Sequence, residues 1–187
     1  PMAIAVTEIY HRYQNIFNHD DHIAIQQGKM GSLHSFLPVL RYSSTTEESM
    51  AVNKIDAGAI IIAGSGMCTG GRIRHHFKHN LWRRDAHVIF VGYQAIGTPG
   101  RALVDGAKTF RLGSDEIAVK AAIHTLGGFS AHASQSQLFD WIQNFKQPHP
   151  RLYLIHGEAD AKVALQEYLS LNGWSADIPG LRESITF

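Results

Sequence analysis

At 187 residues and 20.7 kDa the chain has the length of one ordinary domain or two small lobes, and folding should bury roughly 70% of the surface its unfolded form exposes. A composition of 44% hydrophobic and 18% charged residues, with a mean hydropathy of -0.12, excludes a disordered tail or a charge-saturated linker. A formal net charge of +1, from 17 Lys and Arg against 16 Asp and Glu, excludes a globally basic nucleic-acid binder, so any such affinity must come from local patches.

The chain opens on Pro1-Met2 with a helical pattern (Ile4, Ile9, Tyr13, Phe17) that has no leading strand or cap, which reads as a fragment. Asn18 to Asp21 breaks that helix. A short segment around Ile23 and Ile25 follows, and Gly28, Gly31 and Pro38 lead into an expected strand, Val39 to Tyr42. Thr45 to Ile55 reads as a helix with a Thr45–Glu48 capping box, and Ala59 to Ala63 as an apolar strand buried on both faces. Gly70 to Leu81 is the next helix and His87 to Val91 the next buried strand. Strands alternating with helices imply a parallel α/β sheet whose functional edge lies at the strands' carboxyl ends. Beyond Pro99 come a short helix through Leu103, then strands Thr109 to Leu112 and Ile117 to Thr125 joined by the turn Gly113 to Glu116. This begins a second lobe. Ser134 opens a helix with Gln137 at the capping-box position and Leu138, Ile142 and Phe145 on one face. Arg151 to Ile155 reads as a buried strand, Glu158 to Leu171 as a helix closed by Gly173, and the remainder as a terminal strand or loop.

The longest apolar stretch, Ala57 to Ala63, falls short of the roughly 20 residues of a membrane span, and no basic-then-apolar leader opens the chain, so the expectation is a cytoplasmic protein with no membrane partner. Cys68 is the single cysteine, so metal ligands must come from His, Asp and Glu; the chain holds 12 histidines.

Four constellations could carry chemistry. In Gly64-Ser65-Gly66-Met67-Cys68-Thr69-Gly70-Gly71-Arg72 a glycine-rich loop meets a helix start, where backbone N–H groups and the helix dipole suit a phosphate. Ser65, Gly66, Thr69 and Arg72 are the candidate contacts. The loop has no G-K-[ST], its spacing is G-x-G-x-x-x-G, and the next strand ends in Gly92-Tyr93 without an acid, which argues against a nucleotide P-loop or a dinucleotide site. A purely structural turn stays open. Cys68 at a helix start could be an activated thiol, but no His-Asp partner pattern accompanies it, and a packed side chain is the better reading.

The second is the basic helix and its exit: Arg72, Arg74, His75, His76, Lys78, His79, Arg83 and Arg84, interleaved with Phe77 and Trp82. His75 and His79 share a face, but the catalytic Glu of a metalloprotease helix is missing. A stripe of Arg74, His75, Lys78, His79, Arg83 and Arg84 suits an RNA backbone, and a solvated helix face over a buried Phe77 accounts for it equally well. The third, Gly127-Gly128-Phe129-Ser130-Ala131-His132-Ala133-Ser134, puts His132 before a helix start, so its imidazole and free N–H groups can face one phosphate or proton acceptor. In the fourth, Leu154-Ile155-His156-Gly157-Glu158, His156 ends a strand and Gly157 leaves room for a ligand.

Together these segments resemble the β-CASP branch of the metallo-β-lactamase superfamily, the RNA-processing nucleases that include RNase J and the cleavage and polyadenylation endonuclease subunit. Gly92-Tyr93-Gln94 with Gly97-Thr98-Pro99-Gly100-Arg101 looks like the family's next loop, G-G-F-S-A-H-A-S like its motif B and L-I-H-G-E like its motif C. The resemblance implies an α/β fold: the later part of a parallel-sheet β-CASP domain over residues 1–118, then the C-terminal part of a metallo-β-lactamase αββα domain over 119–187. It makes His132 the motif B histidine at the scissile phosphate, with Ser130 and Ser134 beside it as phosphate contacts, and His156 a ligand to one of two zinc ions. Such metals lie about 3.5–4 Å apart and activate a bridging hydroxide. The family's H-x-H-x-D-H motif does not occur in this sequence, and His156 alone cannot assemble a hydrolytic site needing three protein ligands, so this polypeptide by itself is expected neither to hold zinc stoichiometrically nor to cut RNA. The expected partners are single-stranded RNA and the missing N-terminal half of the same protein; a homodimer stays open. A zinc-dependent ribonuclease is thus the leading reading, a non-cleaving RNA-binding module of the same fold the alternative, and a cofactor-binding oxidoreductase a third that the loop does not favour.

Overall fold

The structure, a computed structural model, describes residues 2–13, 16 and 38–186. The segment around Ile23 and Ile25, the loop at Gly28 and Gly31, and Phe17 lie outside the described residues. The chain divides into two compact units, residues 1–127 and 128–187.

Unit 1 is mixed α/β. Among the described residues its helices are α1 (Met2–Arg12), α2 (Thr46–Val52), α3 (Arg72–Asn80) and α4 (Pro99–Val104), and its strands are β1 (His87–Phe90), β2 (Thr109–Leu112), β3 (Asp115–Ala118) and β4 (Ala122–Thr125). Helix α2 starts where the sequence places it: Thr45 Oγ1 accepts from the Glu48 N–H at 3.1 Å, and the Glu48 carboxylate accepts from the Thr45 and Ser44 N–H groups. Those two backbone donors, Thr45 first, hold the Glu48 carboxyl below its ordinary pKa. Thr45→Ala should lower unit 1 stability by about 1 kcal/mol, read as a shifted urea midpoint with an unchanged slope.

β1 runs parallel to β4, with His87 opposite Ala122 and Phe90 opposite Thr125. β2 and β3 form an antiparallel hairpin turned by Gly113 and Ser114, Gly113 taking φ +62° as a two-residue turn requires. The core gathers Cys68, Phe77, Leu81, Phe90, Leu103, Phe110, Ile117 and Ala121, with Phe77 meeting Phe110 edge-on at 5.3 Å.

Unit 2 contains α5 (Gln135–Ile142), β5 (Leu152–Tyr153), α6 (Ala159–Leu171) and β6 (Ala176–Asp177), with a 3-10 turn over Gly127–Phe129 at its start. Ser134 caps α5 in a reciprocal box with Gln137, Gly173 closes α6 at φ +80°, and β5 runs parallel to β6. Phe139, Ile142, Leu169, Trp174 and Ala176 form its core, and His149 stacks on Trp174 with centroids 3.7 Å apart.

Several expected elements differ. Val39 to Tyr42 and Ala59 to Ala63 form no ladder, and Ile60 and Ile62 are 91% and 85% exposed: apolar sequence makes a strand only beside a hydrogen-bonding neighbour, and no described segment pairs with either. The run Ile117 to Thr125 splits into β3 and β4 because the Lys120 and Ala121 N–H groups both donate to the Leu81 carbonyl, at 2.7 and 2.9 Å. Of Arg151 to Ile155 only Leu152 and Tyr153 pair, matching the two residues of β6. The buried stripe of α5 is Phe139 and Ile142, while Leu138 and Phe145 are exposed.

Candidate functional site

The glycine-rich loop of unit 1 is tied to itself and to two later segments. Within it, Cys68 N–H donates to the Ser65 carbonyl at 3.1 Å, Ile73 N–H to the Gly64 carbonyl at 3.1 Å, and the Ser65 and Thr69 hydroxyls lie 3.2 Å apart. Gly71 takes φ +72°, and a Cβ there would stand 2.5 Å from the Gly64 carbonyl oxygen, so only glycine lets the loop close onto the start of α3. From outside, Gly100 N–H donates to the Met67 carbonyl at 3.1 Å.

The buried side chain of Gln94 completes the assembly. Its Nε2 donates to the carbonyls of Gly66, Gly92 and Tyr93 at 3.0, 3.1 and 3.1 Å, and its Oε1 sits against Gly100, where any Cβ would collide with it. The sequence places Gln94 in a family-like loop with Gly92 and Tyr93 but assigns it no organising role. A glutamine directly after the Gly-Tyr at a strand's carboxyl end was the available signal.

Among the described residues none accepts from the N–H groups of Gly66, Thr69 and Gly70, which precede α3, where the helix dipole favours an anion. The candidate phosphate contacts are disposed unequally: Ser65 is half-buried, Gly66 and Thr69 are exposed, and Arg72 donates to the Ser43 and Ser44 carbonyls at 2.6 and 3.1 Å, bracing the approach to α2. Cys68 is 1% exposed and burial pushes its thiol up to about 11, which removes the activated-nucleophile reading.

The basic helix is partly committed to its own unit. Arg74 donates to the Thr69 and Arg111 carbonyls, Lys78 pairs with Asp115 at 2.5 Å, and Arg83 binds Asp85 at 3.0 Å as well as the Asp56 carbonyl. His75, His79 and Arg84 are exposed. His76 does not belong to the surface stripe: it is 6% exposed, with Nδ1 donating to Asn53 Oδ1 at 2.8 Å. Burial, and secondarily the neighbouring His75 and His79, lower its pKa. The unfolded chain therefore takes up a proton near the ordinary histidine value of about 6.5 while the folded unit does not, so stability should fall as pH drops below that value. Urea midpoints measured from pH 7.5 to 5 check this; in His76→Gln that part of the acid loss should disappear.

In unit 2 the two singled-out histidines are exposed and each precedes a helix. His132 lies between the 3-10 turn and α5, and its N–H donates to the Ser130 hydroxyl at 3.2 Å, a local turn that sets the loop's direction. Ser134 is engaged as the α5 cap and lies 3.0 Å from the Ser136 hydroxyl. His156 follows β5 with φ +61°, a left-handed backbone that few non-glycine residues adopt. Next to it, Gly157 lies under the stem of Lys162, 2.8 Å from where a Cβ would be. Neither histidine lines the cavity around Arg151, Tyr153 and Asp177 or the one around Gln166 and Trp174. Among the described residues no group of three or more His, Cys, Asp or Glu is placed to hold a metal ion, and no helix is long and apolar enough to cross a membrane.

Residues 1–103 match the family model described as the Beta-Casp domain, more than half of the chain. The chain belongs to the Beta-Casp family. Residues 116–179 of this Beta-Casp chain match a second model, the Zn-dependent metallo-hydrolase RNA specificity domain, so the metal of the family is zinc. The chain is 36% identical to Ribonuclease TTHA0252 of Thermus thermophilus over 185 residues, 99% of this chain and 41% of that protein. It is 33% identical over 123 residues to Transcription termination factor FttA of Methanocaldococcus jannaschii, covering 63% of this chain and 19% of the relative. The factor of the same name from Pyrococcus horikoshii is 36% identical over 105 residues, 54% of this chain and 16% of its own length. The chain thus spans about two fifths or less of these relatives.

Proposed function

We propose that this chain is the C-terminal portion of a zinc-dependent ribonuclease that hydrolyses phosphodiester bonds of single-stranded RNA in processing or decay, with the later β-CASP part over residues 1–118 and the metallo-β-lactamase part over 119–187. The observation that carries the reading is the backbone of His156. A left-handed, exposed histidine costs of order 1 kcal/mol, a strain this chain also carries at Cys68 and Arg182, and at His156 it coincides with a motif histidine on an exposed loop. Its place in the loop after β5, inside the segment matched by the zinc-dependent model, supports a metal-ligand role.

The described residues do not fit a zinc centre by themselves, since a hydrolytic site needs three protein ligands and a water. His156 stands as one ligand, and the intact protein would carry two zinc ions completed by its upstream part. The chain's own residues do the rest. His132, on the loop turned by its backbone bond to the Ser130 hydroxyl, reaches a phosphate oxygen or passes a proton to the leaving oxygen. In unit 1 the loop N–H groups and the exposed His75, His79 and Arg84 hold the RNA backbone.

The deciding experiment uses the intact protein on single-stranded RNA. Cleavage that a chelator abolishes and zinc restores is the expected result. Zinc-loaded protein that binds RNA with strong salt dependence yet never cuts it would replace this reading with the non-catalytic binding module.

A further inference from the structure

The aromatic side chains of unit 2 are nearly all committed to a neighbour. Phe139 meets Tyr168 edge-on at 5.4 Å, Trp141 meets Phe145 at 5.2 Å, Trp174 carries the stacked His149, and Tyr153 lies under the Arg151 guanidinium. Among the described residues Phe129 is the exception: no ring or cation packs on it, and it is 71% exposed. It closes the 3-10 turn Gly127–Phe129, on the same loop as His132 and just ahead of it. A Cβ at Gly127 or Gly128 would meet nothing within 4 Å, so the turn that presents the ring stands in open space.

We propose that Phe129 is the platform on which a base of the single-stranded RNA stacks, at the nucleotide whose phosphate, or the next one along, His132 contacts. This role rests on the reading of His132 as a phosphate-contacting histidine, and it gives the bases of the same substrate a partner. Every base offers a π-face, so one ring holds a nucleotide without selecting its identity. The reach fits. Three residues span at most about 11 Å when extended, and the turn shortens that, which keeps the ring about one or two nucleotides from the phosphate at His132.

A single exposed apolar side chain is ordinary on a protein surface, and its surroundings decide what it suits. From Gly127 to Ala133 the loop adds only small and polar side chains to the ring, all of them exposed, and not the contiguous apolar patch that a protein partner buries. A lone ring flanked by the Ser130 hydroxyl and the His132 imidazole is instead complementary to one nucleotide, whose flat base and anionic phosphate lie close together.

The test reads binding by the chelator-stripped intact protein, so that cleavage does not intervene. Fluorescence anisotropy follows two labelled strands of equal length, a single-stranded oligoadenylate and a base-free strand of tetrahydrofuran phosphates. Phe129→Ala should weaken binding of the oligoadenylate roughly 5- to 100-fold and leave binding of the base-free strand unchanged. Phe129→Trp, which keeps a stacking face, should bind the oligoadenylate at least as well as the parent. The slope of affinity against salt should be the same in all three proteins, since no phosphate contact is lost. As purified, Phe129→Ala should keep the parent's zinc content and Tm. Equal weakening on both strands, no weakening on either, or a drop in zinc content or Tm would overturn the proposal, the last by showing that the ring packs on protein in the intact molecule. The nuclease reading fails separately: an intact protein that shows this base-dependent loss and never cuts RNA keeps the stacking role and loses the catalytic one.

Discussion

His132→Ala in the intact protein is expected to slow RNA cleavage by about 10²- to 10⁴-fold, the range for losing a positioned proton donor, while zinc content stays at the parent level. His156→Ala should lose activity together with zinc, since its place in the reading is that of a ligand. Rate assays paired with metal analysis separate the two, and equal metal loss in both variants would contradict the assigned roles. The left-handed backbone at His156 adds a control that does not depend on activity. His156→Gly should be more stable than His156→Ala by roughly 1 kcal/mol, because glycine adopts φ +61° without the Cβ clash. Urea unfolding of the two variants measures that difference.

The largest structural effect should come from Leu169→Ala. Leu169 is fully buried at the centre of the cluster with Phe139, Ile142, Trp174 and Ala176, the core of a 60-residue unit. Emptying it should cost about 2–5 kcal/mol, comparable with the whole stability of a unit this small, so unit 2 should unfold or sit at its midpoint near room temperature. Leu171, two residues on, is 86% exposed, and its alanine variant should change stability by less than about 0.5 kcal/mol. Fluorescence of the buried Trp174 during denaturation reads both.

What was legible in the sequence was mostly local. The capping boxes at Thr45 and Ser134 stand where the residue pattern puts them, because a cap is decided by side chains three residues apart. The same holds for the left-handed glycines at the β2–β3 turn and after α6. Long-range bonding was not legible. Nothing in Ile117 to Thr125 announces that the Leu81 carbonyl will draw two amides out of the ladder, and the apolar run Ala59 to Ala63 says nothing of which strand would pair with it.

For the site, the residue types were legible and their allegiances were not. Residues 72–84 looked like a free cationic stripe, yet Arg72, Arg74, Lys78 and Arg83 spend donors on carbonyls and carboxylates of their own unit. His76 sits among those residues in sequence and is a core side chain, the step of about 100° from exposed His75 being enough to move an imidazole from solvent to interior. His132 and His156 were singled out from their glycine-rich surroundings. The left-handed conformation of His156 could not be, since no residue pattern demands it.

The three bonds from Gln94 have a practical consequence for building hybrids between relatives. Residues 64–71, 92–94 and 97–101 share one amide, so they form a single exchangeable module despite their distance along the chain. A transplant of the first stretch into a scaffold lacking the glutamine or the glycine at position 100 would carry the letters of the motif without its shape, and all three pieces must travel together.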